Sequence, residues 1–211
     1  MMFGNLTGLD ILIVLVSLII SLTIHEAMHG YMAHWLGDST ASDMGRLTLN
    51  PLKHINMSTT ILLPLVLILL GQQPFFVAKP VPFDSNRVKY GDYGTALVGL
   101  IGPLTNLVLA IVGAFIIRVF YLNLNQSFFN AIIIFIEVNI GFFIFNMIPF
   151  PPLDGSRLLY AFAPEYIQRV MRQIESIGFI GIVIFMVLIF QYVAGPIVNI
   201  ENSLLRFLIG I

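Results

Sequence analysis

Three side chains able to do chemistry stand close together early in the chain: His25, Glu26 and His29, in the stretch SLTIHEAMHGYMAHW from Ser21 to Trp35. Histidines four residues apart share one face of a helix and can both present imidazole to one metal ion. Glu26, beside the first histidine, can reach a water on that metal without being a ligand itself. This H-E-x-x-H spacing is that of zinc hydrolases, in which the metal lowers the pKa of bound water towards ~7 and the glutamate takes its proton. In a soluble helix the short pattern also arises by chance. Here it follows Ile11 to Ile24, a run with no charged residue. Ionisable groups inside a bilayer are costly, so three of them clustered there point to a function.

Catalytic zinc commonly keeps three protein ligands and an open position for water. The chain has no cysteine, which excludes thiolate zinc sites, disulfides and iron–sulfur clusters; the third donor must be His, Asp or Glu. His34, nine residues past His25, reads as a structural residue at the interface. His54, in GRLTLNPLKHIN, follows Asn50-Pro51 and reads as a loop cap. Glu137 is a mid-membrane acid and therefore a functional candidate. Asp154, in NMIPFPPLDGSR, is the stronger one: three prolines break the helix and leave unpaired carbonyls beside an acid and a glycine turn. Such irregular backbone must line a cavity.

The elements that carry these residues follow from composition. Of 211 residues, 58% are hydrophobic and only 10% charged, with a mean hydropathy of +0.94; a water-soluble domain carries about a quarter charged residues. Ten Lys and Arg against eleven Asp and Glu give a formal charge of −1, so nothing favours a nucleic-acid partner. Apolar segments fall near 9–36, 60–77, 94–122, 128–148 and 177–198. The first has no Lys or Arg in front of it and reads as a retained span rather than a signal peptide. The expected fold is an all-α polytopic membrane protein of about five transmembrane helices. Within it 60–77, short and broken by Pro64, reads as a segment that re-enters or lies at the interface rather than spans. That layout puts eight of the ten Lys and Arg on one side, leaving only Arg118 and Arg206 opposite, and places 37–93 and 151–175 in the cytoplasm. It also lets His29 and Asp154 meet at similar depth. No linker divides the chain, so 1–211 reads as one membrane-embedded domain.

HEAMH in the first span, GPLTN at Gly102 to Asn106, and Asn146-Met-Ile-Pro149 followed by Leu153-Asp154-Gly155 resemble, in that order, the site-2 protease family of intramembrane zinc metalloproteases. GRLTLNPLKHIN and FVAKPVPFD resemble its compact prokaryotic branch that lacks a PDZ domain, although that branch typically carries Asp where this chain has Asn56. The family-like core covers about 8–164, with further helices over 165–211. The resemblance implies one Zn2+ held by His25, His29 and Asp154, with Glu26 as general base and then acid. It implies Asn106 and Asn146 near the substrate or its oxyanion, the alternative for both being helix-to-helix hydrogen bonding. For Gly102 and Pro103 close packing or bending of helices is the better reading. The resemblance further implies a membrane-embedded re-entrant hairpin or small β element after the first helix, in which Phe75 to Phe83 would offer an edge to an extended substrate.

The function expected is hydrolysis of a peptide bond in or near a transmembrane segment of another membrane protein. The site would lie nearer the cytoplasmic face of a cell membrane, with a regulatory membrane partner possible. The polar residues Ser21, Thr23, Asn106, Asn139, Asn146 and Asp154 are available to line a water path. Two alternatives come from other classes: a divalent-metal transporter with an intramembrane His and Asp site, and a membrane scaffold without turnover.

Overall fold

The computed structural model describes residues 7–56, 60, 62, 65–66, 69 and 78–210. Among these residues the regular structure is helical and no strand occurs. Helix α1 runs Gly8–Trp35, started by a reciprocal cap in which Thr7 and Asp10 each bond the other's backbone N–H. It stops where Gly37 adopts the left-handed conformation. Helix α2, Gly91–Phe120, is entered through Tyr90 and its first residue Gly91, both at positive φ, and carries Pro103 in its interior. Helix α3, Gln126–Asn146, is capped by the Asn125 side chain and ends before Pro149. Two short helices follow, α4 (Gly155–Phe162) and α5 (Glu165–Ser176). Helix α6 (Phe179–Ile184) passes through a π-helical turn, Phe185–Ile189, into α7 (Phe190–Ile209).

Four helical stretches, Gly8–Trp35, Gly91–Asn123, Gln126–Asn146 and Ile180–Ile209, are long and apolar enough to cross a membrane. The last is longer than the apolar segment 177–198, because neither Pro196 nor the polar stretch from Asn199 to Asn202 ends the helix. The remaining segment, 60–77, lies almost wholly outside the described residues. What frames it is clear: the Lys89 N–H donates to the Leu36 carbonyl at 2.9 Å, so the end of α1 and the approach to α2 lie side by side. The described part of the expected substrate edge, 78–83, is not a strand and has no ladder partner among the described residues. Its prolines remove the donors a ladder would need.

Helix α1 shows the environment most directly. Leu9, Ile11, Leu12, Leu15, Val16, Ile19 and Ile20 face outward, while Ser17, Ser21, Thr23, His25, Glu26 and His29 are buried. Polar groups inside and apolar ones outside is the arrangement of a helix whose solvent is lipid. The protein is an all-α polytopic membrane protein. Its apolar core joins α2, α3 and α7: Ala110, Ala114 and Ile117 pack on Ile133, Ile136 and Ile140, with Leu204, Leu205 and Leu208 against them.

Candidate metal centre

His25 and His29 project from α1 towards α2, which can come close only because residue 102 is glycine. A Cβ there would stand 2.4 Å from His29 Nε2 and 2.7 Å from His25 Nε2. One turn earlier Gly99 leaves room for the Asp154 carbonyl and for the Arg157 stem. The proline-broken segment after α3 can thus fold over α2 and bring Asp154 to the histidines. Pro103 follows immediately and withholds the N–H that would have bonded the Gly99 carbonyl.

Both imidazoles are held from behind. His25 Nδ1 lies 2.6 Å from Asn106 Oδ1, and His29 Nδ1 lies 2.6 Å from the Val98 carbonyl oxygen. A carbonyl only accepts, so His29 carries its proton on Nδ1. For His25 the same follows along a chain of amides. The Phe135 carbonyl accepts from Asn139 Nδ2 at 2.8 Å, and Asn139 Oδ1 accepts from Asn106 Nδ2 at 2.9 Å. Asn106 must therefore turn its oxygen to His25. The direction of the whole relay is fixed by its backbone end, and in the neutral rings both Nε2 atoms are left as lone pairs.

Those lone pairs converge. The two Nε2 atoms are 3.0 Å apart, and Asp154 Oδ2 lies 3.0 Å from His25 Nε2 and 3.3 Å from His29 Nε2. Two nitrogen lone pairs and a carboxylate oxygen at such distances repel one another unless a cation neutralises them. Tetrahedral zinc, with bonds of ~2.0–2.1 Å to nitrogen and oxygen, holds neighbouring donors ~3.3 Å apart. The donor set, its spacing and its orienting hydrogen bonds fit zinc, and among the described residues this is the one cluster of His, Asp and Glu able to hold a metal.

A cavity of about 300 Å³ opens beside the three donors, lined among others by Glu26, Val81, Phe83, Asn146, Arg157 and Phe185. Glu26 is buried, and its Oε2 accepts the Val81 N–H at 2.9 Å. Arg157 stacks its guanidinium on the Phe83 ring, 4.8 Å from the centroid, and pairs with Glu175 at 3.9 Å.

His25, His29, Glu26, Asp154 and Asn146 thus meet at one cavity. Asn146 has its amide nitrogen on the Phe142 carbonyl at 3.0 Å. Of the two readings of Asn106, its surroundings match helix-to-helix hydrogen bonding: fully buried, with both ends of its amide engaged, it faces His25. Asn139, expected along a water path, is fully buried in the same relay. His34 is exposed on the far side of α1, His54 bonds the Thr48 carbonyl, and neither His54 nor Glu137 joins the donor cluster. Sequence reasoning missed the Val98 carbonyl and the Val81 N–H, which as backbone groups leave no mark in the sequence. It assigned Gly102 no part in the site, though GPLTN was noticed.

The chain is similar over most of its length to proteins bearing a metalloprotease name. "Putative zinc metalloprotease YwhC" of Bacillus subtilis is 37% identical over 204 residues, covering 90% of this chain and 88% of that protein. The chain belongs to this zinc metalloprotease family. "Putative zinc metalloprotease Rip2" of Mycolicibacterium smegmatis is 28% identical over 179 residues, 83% of this chain and 67% of the relative. Rip2 of Mycobacterium tuberculosis strain H37Rv is 24% identical over 169 residues, 79% of this chain and 63% of the relative. No family model and no solved structure matches the chain. Family membership and the donor geometry agree on the cofactor, which is zinc.

Proposed function

We propose that this metalloprotease is of the site-2 type, in the compact branch without a PDZ domain, and hydrolyses a peptide bond in or near a transmembrane segment of another membrane protein. One observation carries the reading: three metal donors and a glutamate meet at a single cavity built from the polar end of a membrane-spanning helix.

His25, His29 and Asp154 would hold the ion. Zinc, when bound, supplies a water of lowered pKa and polarises the scissile carbonyl. Glu26 takes the proton of the attacking water on a carboxylate fixed through Oε2 to Val81, and returns it to the departing amine. Asn146, on the cavity wall, offers its amide to an unwound substrate peptide. Unwinding is required because a helical carbonyl is shielded by its own hydrogen bond. Asn106 acts through His25 as a positioning residue. The balance of lysine and arginine, eight of ten in 37–93 and 151–175, supports a site nearer the cytoplasmic side of a cell membrane. A regulatory membrane partner would control substrate access.

The decisive experiment reconstitutes the chain in proteoliposomes with a reporter transmembrane peptide. Glu26→Gln should keep zinc by metal analysis and lose cleavage by about 10³-fold, within the range of general acid–base catalysis. Cleavage at the wild-type rate by this variant would sink the reading. Metal uptake by the same vesicles, with no peptide cut, would turn the assignment to a divalent-metal transporter.

A further inference from the structure

Of the lysines and arginines among the described residues, only Arg46 is buried, at 7% exposure, and no acid pairs with it. Its Nη2 donates to the carbonyls of Lys79 and Pro80, at 3.0 and 3.4 Å. A buried cation that meets only carbonyls is costly to desolvate, so the segment it grips has to be held. Two more bonds from the same loop hold that segment. The His54 carbonyl accepts the Lys79 N–H at 2.7 Å, and Asp38 Oδ2 accepts the Asp84 N–H at 2.7 Å.

Between these anchors lies the Val81 N–H, bonded to Glu26 Oε2. Pro80 and Pro82 have no N–H, so Val81 is the single backbone donor between Lys79 and Phe83. Gly30, one turn beyond Glu26 on the same face of α1, lets loop and segment approach. A Cβ there would meet Leu47 Cδ2 at 2.6 Å and Val81 Cγ1 at 2.9 Å.

We propose that Arg46 is a positioning residue for the general base: the 38–54 loop clamps 79–84, and the clamp sets the orientation of Glu26 through the Val81 N–H. The proposal rests on the reading of Glu26 as base. Arg46 belongs neither to the donor cluster nor to the residues lining the cavity. Its effect belongs in kcat, since misplacing a reacting group by about 1 Å can cost 10²-fold.

The test measures cleavage of the reporter transmembrane peptide and zinc content for Arg46→Met, Arg46→Lys, Val81→Pro and the Arg46→Met/Val81→Pro pair in proteoliposomes. Zinc content should stay at the wild-type level throughout. We expect kcat to fall about 10-fold for Arg46→Met and about 100-fold for Val81→Pro, with KM within about 2-fold. Arg46→Lys, which keeps a donor for one carbonyl, should recover part of the loss. Because both changes act through one hydrogen bond, the pair should be no slower than Val81→Pro alone. Multiplicative losses in the pair would overturn the proposal. So would a raised KM with kcat retained, which would make 79–84 a substrate edge only. Should Arg46→Met fail to fold, Val81→Pro decides, since it leaves the loop intact. If Glu26→Gln is inactive while Val81→Pro keeps full kcat, only the clamp falls; if Glu26→Gln cleaves normally, the reading of the base falls first.

Discussion

The two halves of the bundle use the same helices in opposite ways. In the half formed by Ala110, Ala114 and Ile117 against Ile133, Ile136 and Ile140, contact is non-directional, and Gly113 simply lets Ile136 nest against α2. In the half around Asn106, Asn139, His25 and His29, each contact has a donor, an acceptor and one permitted direction. The lesson is that tolerance should change sharply along one helix. A lost methyl in the first half leaves neighbours that can shift, whereas a lost amide in the second strands a buried polar group and frees an imidazole.

The contrast breaks most completely at the centre. Asp154→Ala should abolish both zinc binding and peptide cleavage, and Gly102→Ala should do the same in a chain that remains helical, because the added Cβ would lie 2.4 Å from His29 Nε2. Metal analysis and circular dichroism on purified protein check both; full zinc retention by Asp154→Ala would make Glu137 the acid to examine. One layer back, Asn139→Leu should weaken zinc about 10–100-fold, as loss of an orienting partner does elsewhere, read by competition with a zinc chelator. The other half sharpens the comparison from below. Ile136→Val should cost about 1 kcal/mol of stability in detergent and leave zinc affinity unchanged.

The smallest effect concerns pH. Burial works against the charge of Asp38, but hydrogen bonds from the Thr40 hydroxyl and from the Asp84 and Thr40 N–H groups, with Arg87 near, hold its carboxyl below the usual range. A depressed carboxylate contributes stability above its ordinary value of 3.8 and loses it as pH falls further. Thermal melts should therefore separate wild type from Asp38→Asn at pH 6 and converge as pH falls below about 3.8.

What could be read from the sequence was whatever lies within one helix or one short motif. The spacing of His25 and His29 needs only the helical period, and the apolar segments needed only their length. Asp154 was singled out because prolines that break a helix beside an acid leave irregular backbone that must line a cavity, and the resemblance made it a ligand. For Asn106 two readings stood side by side for a physical reason: its partners are Asn139, on another helix, and through it a carbonyl at Phe135. No local pattern encodes that arrangement. Val81 was invisible for the same reason. Its side chain is ordinary, and its contribution is a backbone N–H whose direction is set by Arg46 and His54 from a separate loop.

The amide relay from Phe135 to His25 carries a consequence for how this chain can vary. A carboxylate at 106 would still accept from the imidazole, but it would then face Asn139 Oδ1 with no proton between them. Such a change survives only with a donor turned the other way at 139, and that residue could no longer lean on Phe135 as Asn139 does. Positions 106 and 139 are thus two ends of one switch, free to drift together and locked when either moves alone.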